Sequence, residues 1–214
     1  CKKAGMRGVS VWQVPPDELS FRTRHYERLW ATCQDLQMPV SLHILTGMPY
    51  KPDYKGASEL VPLLSNAVNK KLLFTADSLL NIIGSGVLDR FPALKIVLVE
   101  TEVSWLPFSL GQWDRYVEKR FKDGQLKLLP SEYFQRQIYA TFFNDPPISI
   151  LFPKWGMDNC MWSNDFPHGN STWPNSRKVV ARDLGHLTAA ARAKLMSGNV
   201  TRLYDLPVVE PLAA

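Results

Sequence analysis

The chain has 214 residues, 45% hydrophobic and 21% charged, with 25 Lys and Arg against 20 Asp and Glu for a net charge of +5. At roughly 100–200 residues per domain this is one large domain or two small ones, and the apolar fraction excludes disorder and collagen-like structure. No run of the ~18 apolar residues that a spanning helix needs occurs, and the cations are scattered rather than gathered in a stripe, which argues against both a membrane and a nucleic-acid partner.

The opening Cys1–Ser10 (CKKAGMRGVS) reads as a helix end, a turn glycine and the start of a strand. A first residue other than Met, in mid-motif, leads to the expectation of a piece of a longer polypeptide. Gly8–Gln13 (GVSVWQ) predicts a short buried strand, stopped by Pro15 and Pro16. Ser20 then caps a predicted helix over Phe21–Gln37, where Tyr26, Leu29, Trp30, Cys33 and Leu36 recur at helical spacing. Val40–Leu45 (VSLHIL) is the next strand, and Gly47–Gly56, with two prolines, reads as a loop. Helices are predicted over Ser58–Lys70 and Thr75–Ile83, followed by the strand Lys95–Glu100 (KIVLVE). Ser104 is the expected cap of a helix whose Leu106, Leu110, Trp113 and Val117 share a face. Ile138–Phe142 (IYATF) and Cys160–Asp165 (CMWSND) are further strands with a helix between them. Thr188 caps a last helix over Ala189–Ser197, closed by Gly198.

About five strands buried on both faces, alternating with helices, call for a parallel sheet in an α/β fold. A doubly wound sheet and a (β/α)₈ barrel both satisfy that pattern. No GxGxxG or P-loop sequence follows any strand, which weakens the nucleotide-binding version. The barrel is favoured by the polar residues at strand ends: His43 late in one strand, Glu100 ending the next, Asn144 and Asp145 after the following one, and Asp165 ending the last. Ionisable groups are seldom buried without partners, and imidazole and carboxylate are ligands of catalytic zinc or manganese. Each residue also has a plain structural reading. His43 fits a hydrogen-bonded core histidine, Asp165 a turn or cap aspartate, Glu100 and Glu102 ion-pair partners, and His168 a solvated loop residue. His25 and His186 fall on helices and are given no role. Three cysteines, Cys1, Cys33 and Cys160, are far apart and in no CxxC pair, which argues against a disulfide framework or a thiolate zinc site and fits a reducing, cytoplasmic setting. The sequence shows no secretory-leader pattern.

Gly86–Leu98 (GVLDRFPALKIVL), Trp105–Phe108 (WLPF), Trp162–His168 (WSNDFPH), Ser171–Ser176 (STWPNS) and Gly198–Tyr204 (GNVTRLY) occur in this order. Together they resemble the amidohydrolase-related family of metal-dependent TIM barrels, which includes aminocarboxymuconate semialdehyde decarboxylase, and the resemblance runs from about Lys3 to Leu206. It implies that His43 is the metal ligand of the family's fifth strand, and that Asp165 is the eighth-strand aspartate that binds metal and manages the proton of an attacking water. Where the family's sixth strand often ends in an acid–base histidine, this chain has Glu100, whose unperturbed pKa of about 4.3 against about 6.5 makes it a different base or a further ligand. The family's first-strand His-x-His or Glu-x-His pair has no counterpart here. The expected fold is therefore the carboxyl-terminal five strands of one (β/α)₈ TIM barrel over residues 1–214. The first strands would come from the same polypeptide or another chain, in a barrel of about 250 residues or more.

The leading expectation is a metal-dependent hydrolase that uses metal-activated water on an amide, ester or lactone-like bond of a small organic substrate. Asp165 and Glu100 are its acid–base groups, His43 and Asp165 its ligands to a divalent ion (zinc, or manganese), and His168, Asn144 and Trp173 its substrate-binding residues. The alternatives are nonoxidative decarboxylation of an aromatic or unsaturated acid on the same scaffold, and a noncatalytic barrel that binds a ligand or partner. A homodimer is a further expectation, common among the family's members.

Overall fold

The computed structural model describes residues 1–47, 60–121 and 124–207. Five strands, β1 (Val9–Trp12), β2 (Val40–His43), β3 (Ile96–Val99), β4 (Ile138–Phe142) and β5 (Cys160–Trp162), form one sheet in the order β1-β2-β3-β4-β5. All four ladders are parallel, with Val9 beside Val40, Val40 beside Ile96, Ile96 beside Ile138 and Ala140 beside Cys160. A doubly wound sheet reverses its strand order at a switch point; this one never does. Unbroken sequential order is that of a barrel wall, as expected from the sequence, and it brings all five carboxyl ends to one rim.

The helices between these strands are α1 (Glu27–Asp35), α2 (Leu60–Leu64), α3 (Lys71–Gly84), α4 (Val87–Arg90), α5 (Trp105–Arg120), α6 (Pro130–Gln137) and α7 (Ile148–Trp155). After β5 come α8 (Ser176–Leu184), α9 (Ala189–Ala193) and α10 (Asn199–Tyr204). Successive strand residues point to opposite faces, so Val40, Leu42, Ile96, Leu98, Ile138 and Ala140 join the helices in the main core. On the other face Val97, Tyr139 and Met161 pack against Val200 and Leu203 of α10 and its approach. Both faces are thus covered along β3 and β4, whereas β1, expected to be buried, has Ser10 and Trp12 exposed and Val9 and Val11 half-buried.

Several elements depart from the sequence expectation. The helix expected from Phe21 begins only at Glu27, because Phe21 turns back to lie 5.3 Å from the Tyr26 ring and 6.0 Å from Trp30. On a helix, nine residues would separate Phe21 from Trp30 by about 13 Å. The two helices expected over Ser58–Lys70 and Thr75–Ile83 are one continuous run, with a π-helical turn at Ser65–Lys70 joining α2 to α3. The loop expected over Gly47–Gly56 lies, from residue 48 onward, outside the described residues.

Ser104 stands at the start of α5, but the cap is Asp145. Its Oδ2 accepts the Val103 and Ser104 N–H groups, each at 2.7 Å, and its Oδ1 accepts the Ser104 hydroxyl. Thr188 does cap α9, accepting the Ala191 N–H at 3.2 Å. Gly198 does not close that helix. It keeps helical geometry, and the chain continues through α10 to Asp205, whose φ is 49°. The reason is Asn199, fully buried, whose Nδ2 donates to the carbonyls of Met157 at 2.8 Å and Cys160 at 2.7 Å and so ties α10 to the foot of β5. Farther along, Arg7 Nη1 donates to the carbonyls of Tyr204 at 3.1 Å and Asp205 at 2.5 Å, linking α10 to the approach to β1.

Candidate functional site

The parallel ladders deliver His43, Glu100 and Asp165 to the same rim. His43 is the last residue of β2. Glu100 follows β3 with φ 62°, and Asp165 lies three residues beyond β5 with φ 58°. A residue with a Cβ in the left-handed region carries strain of the order of 1 kcal/mol or more, held by surrounding structure. For Glu100 the holding bond is its N–H to Thr141 Oγ1 on β4 at 2.8 Å. Around Asp165 the loop is tied by Ser171 Oγ and Thr172 N–H, which donate to the Asn164 carbonyl at 2.7 and 3.0 Å, and by His168 N–H to the Asp165 carbonyl at 2.9 Å. Both strands consequently end earlier than the sequence pattern extends.

The side chains then meet. His43 Nε2 is 2.9 Å from Glu100 Oε1, and His43 Nδ1 is 2.9 Å from the Ile44 carbonyl. His168 Nδ1 is 2.7 Å from Asp165 Oδ1 and 3.9 Å from Glu100 Oε2. The Glu100 carboxylate therefore stands between the two histidines. Glu100, Asp165 and His168 each offer a ligand atom, all within 4.8 Å of one another. With Nδ1–H of His43 given to the Ile44 carbonyl, its Nε2 faces a carboxylate oxygen, an arrangement that a proton or a cation satisfies. Asp165 has a side chain only 6% exposed while that of His168 is 61% exposed, so the carboxylate is held and the imidazole reaches solvent. The hydrogen bond to Asp165, then the charges of Asp165 and Glu100, hold the His168 pKa above the ordinary histidine value.

Of the other expected site residues, Asn144 is drawn aside: its Oδ1 accepts Arg182 Nη2 at 3.0 Å. It lines a neighbouring cavity of about 320 Å³ with Lys71, Glu102, Asp145, Trp105 and Asn170. Burial pushes the Glu102 carboxyl up from its usual value, against the Phe143 N–H that it accepts at 3.1 Å and the charge of Lys71. Lys71, whose Nζ lies 5.8 Å from the Phe143 ring centroid, fell between the two helices expected from the sequence and carried no signal there. Trp173 is 61% exposed and meets Phe166 edge-on at 6.0 Å, in the same loop as Asp165. The grouping of His168 with the two carboxylates was not foreseen, although its position three residues after Asp165 in a turn was the available signal. His186 does no more than meet the Ser149 carbonyl at 3.2 Å.

The amidohydrolase family profile matches residues 1–206. The chain belongs to the amidohydrolase family. It is 25% identical to gamma-resorcylate decarboxylase of Polaromonas sp. JS666 over 227 aligned positions, covering 96% of this chain and 64% of that protein. Among solved structures, it is similar to an amidohydrolase of Mycobacterium avium subsp. paratuberculosis (TM-score 0.78, 20% identity, 95% of this chain and 53% of that one). It is also similar to dihydroxybenzoic acid decarboxylase of Polaromonas sp. JS666, solved with bound manganese and 2-nitroresorcinol (TM-score 0.71, 23%, 96% and 62%). A third is 5-carboxyvanillate decarboxylase of Sphingomonas paucimobilis (TM-score 0.74, 22%, 95% and 59%). The amidohydrolase chain thus spans between half and two thirds of the length of these relatives. No helix among the described residues is long and apolar enough to cross a membrane.

Proposed function

We propose that the chain forms the carboxyl-terminal part of a metal-dependent, nonoxidative decarboxylase of a small hydroxylated aromatic acid. The observation that most supports it is the convergence of Glu100, Asp165 and His168 within 4.8 Å on a rim that also carries His43. Carboxylate oxygens and imidazole nitrogens suit manganese or zinc, and the buried Cys160 belongs to the core rather than to this donor set. His43 and Asp165, with Glu100 beside them, are the residues that would hold a divalent cation, together with the amino-terminal ligand pair that the family implies. When bound, such a cation supplies positive charge for the substrate's carboxylate and neighbouring hydroxyl oxygen.

The chain's own residues supply the rest. Asp165 Oδ1 and His168 Nδ1 hold one proton between them, and its destination is the ring carbon that bears the carboxylate. As the bond from that carbon to the carboxylate breaks, its electron pair returns to the ring and carbon dioxide leaves. Glu100 fixes the His43 ring through Nε2. Phe166 and Trp173 offer apolar surface for an aromatic ring beside Asp165. Hydrolysis, the leading expectation from the sequence, would use the same donors, with Asp165 taking a proton from water. The names of the relatives favour decarboxylation.

The test is release of carbon dioxide from 2,6-dihydroxybenzoate with Mn²⁺ or Zn²⁺, run beside amide, ester and lactone substrates and beside the Asp165→Asn variant. The expected result is metal-dependent decarboxylation abolished by the substitution. Turnover of a lactone or amide alone would replace this reading with the hydrolytic one.

A further inference from the structure

We propose that Trp12 is a substrate-binding residue, whose indole forms one wall of a slot for a flat ring and so selects aromatic over saturated acids. The inference rests on the decarboxylase reading for the nature of the acid. Trp12 ends β1 and stands in register with His43 at the end of β2. Residues paired in this way project from the same face of a sheet. The indole therefore shares its face with the His43 imidazole, on a strand about 4.8 Å away. The same face carries Val97 and Tyr139 nearer the amino ends of their strands, level with Ser41, and there Val200 and Leu203 cover it. At the level of Trp12 and His43 that cover has ended: Trp12 is 60% exposed and the His43 side chain 37%.

The backbone that carries the ring is fixed on both sides. Gln13, next in the chain, is fully buried. Its N–H donates to Thr46 Oγ1 at 2.9 Å, its Nε2 to Thr75 Oγ1 at 2.8 Å, and its carbonyl accepts Ser78 Oγ at 2.7 Å. Gly47 lies so close that an added Cβ there would stand 3.0 Å from the Trp12 Cβ. A large ring held exposed on a fixed backbone needs little ordering when a ligand arrives, which is how aromatic side chains come to dominate binding sites. A strand added at the free edge of β1 would pair with its backbone in the plane of the sheet and leave the indole on the inner face. At the other edge of the sheet, the loop after β5 presents Phe166 and Trp173, 63% and 61% exposed. His43 and Glu100 stand on the strands between these two aromatic walls. An acid group held at those donors therefore has its ring between flat apolar surfaces.

Titration calorimetry of 2,6-dihydroxybenzoate and of cyclohexanecarboxylate, with Mn²⁺ present, into the wild type, Trp12→Phe and Trp12→Leu tests the proposal, beside kcat and KM for carbon dioxide release. The wild type is expected to bind the aromatic acid more tightly. Trp12→Leu keeps apolar bulk but has no flat face. It should weaken the aromatic acid by about 10-fold and the saturated one by less than about 2-fold, and raise KM with kcat unchanged. Trp12→Phe should keep most of the affinity, and unchanged circular dichroism spectra show that both variants fold. Equal losses for the two acids, or no loss for either, overturn the proposal, as does a wild type that binds neither. Binding with this selectivity but no release of carbon dioxide would overturn the decarboxylase reading and support the slot.

Discussion

Asp145→Ala is the substitution that most directly tests how β4 is coupled to the helix that follows β3. Asp145 is 7% exposed and satisfies three donors at the start of α5: two backbone N–H groups at 2.7 Å and the Ser104 hydroxyl. Loss of a helix cap costs about 0.5–2 kcal/mol, and each buried N–H left without a partner adds about 1–3 kcal/mol where water does not reach it. Val103 is fully buried and Ser104 is not, so one such penalty applies in full. The sum is about 1.5–5 kcal/mol. Ser104→Ala removes only the hydroxyl contact and leaves the backbone bonds, for about 1 kcal/mol or less. The Ser104 hydroxyl acts through the carboxylate, so the double variant should be little worse than Asp145→Ala alone. Urea unfolding of the four proteins, with a common m-value, measures all three quantities. A Ser104→Ala loss equal to or larger than that of Asp145→Ala would refute the reasoning and return the cap to the serine.

Two further outcomes follow from the rim. His168 should titrate above 6.5, the value of an unperturbed histidine, and Asp165→Ala should bring its midpoint back towards that value, as read from its ring ¹H resonances against pH. Because the folded pKa is raised, the stabilisation this group contributes is complete below 6.5 and is lost as pH rises through the folded value; a midpoint at or below 6.5 would contradict the hydrogen bond to Asp165. Gly47→Ala should destabilise by about 2 kcal/mol or more in thermal unfolding, because φ is +77° there and an added Cβ would stand 2.2 Å from the Val14 carbonyl oxygen. An unchanged melting temperature would show that this turn, next to the Thr46 hydroxyl that bonds the His43 carbonyl, is not fixed as described.

Much of this architecture could be read from residue order. The strands were legible because a sheet covered on both faces favours apolar runs, as in IVLV and IYATF, while VSLH alternates buried Val40 and Leu42 with half-buried Ser41 and His43. His43, Glu100 and Asp165 were legible as a group because parallel strands send all their carboxyl ends the same way. What stayed hidden depends on contacts distant in sequence. Ser104 looks like a cap, and nothing nearby announces a carboxylate 41 residues later. Gly198 looks like a helix stop, and only the buried carbonyls of Met157 and Cys160 explain why Asn199 continues it. Asn144, at a strand end like the others, is taken by Arg182 of α8. The positive φ values at Glu100 and Asp165 could not be foreseen either, since residues with a Cβ adopt them only where tertiary bonds over-determine the backbone.

The tie between Arg7 and α10 sets an order of events for a chain emerging from the ribosome. Each of the four ladders joins a strand to the one made just before it, so the sheet grows outward in step with synthesis, and its contacts close over modest stretches of chain. The bonds from Arg7 to the carbonyls of Tyr204 and Asp205 span 197 and 198 residues. They must wait until every strand is in place, and α10 then acts as a latch that the earlier-made parts cannot set for themselves.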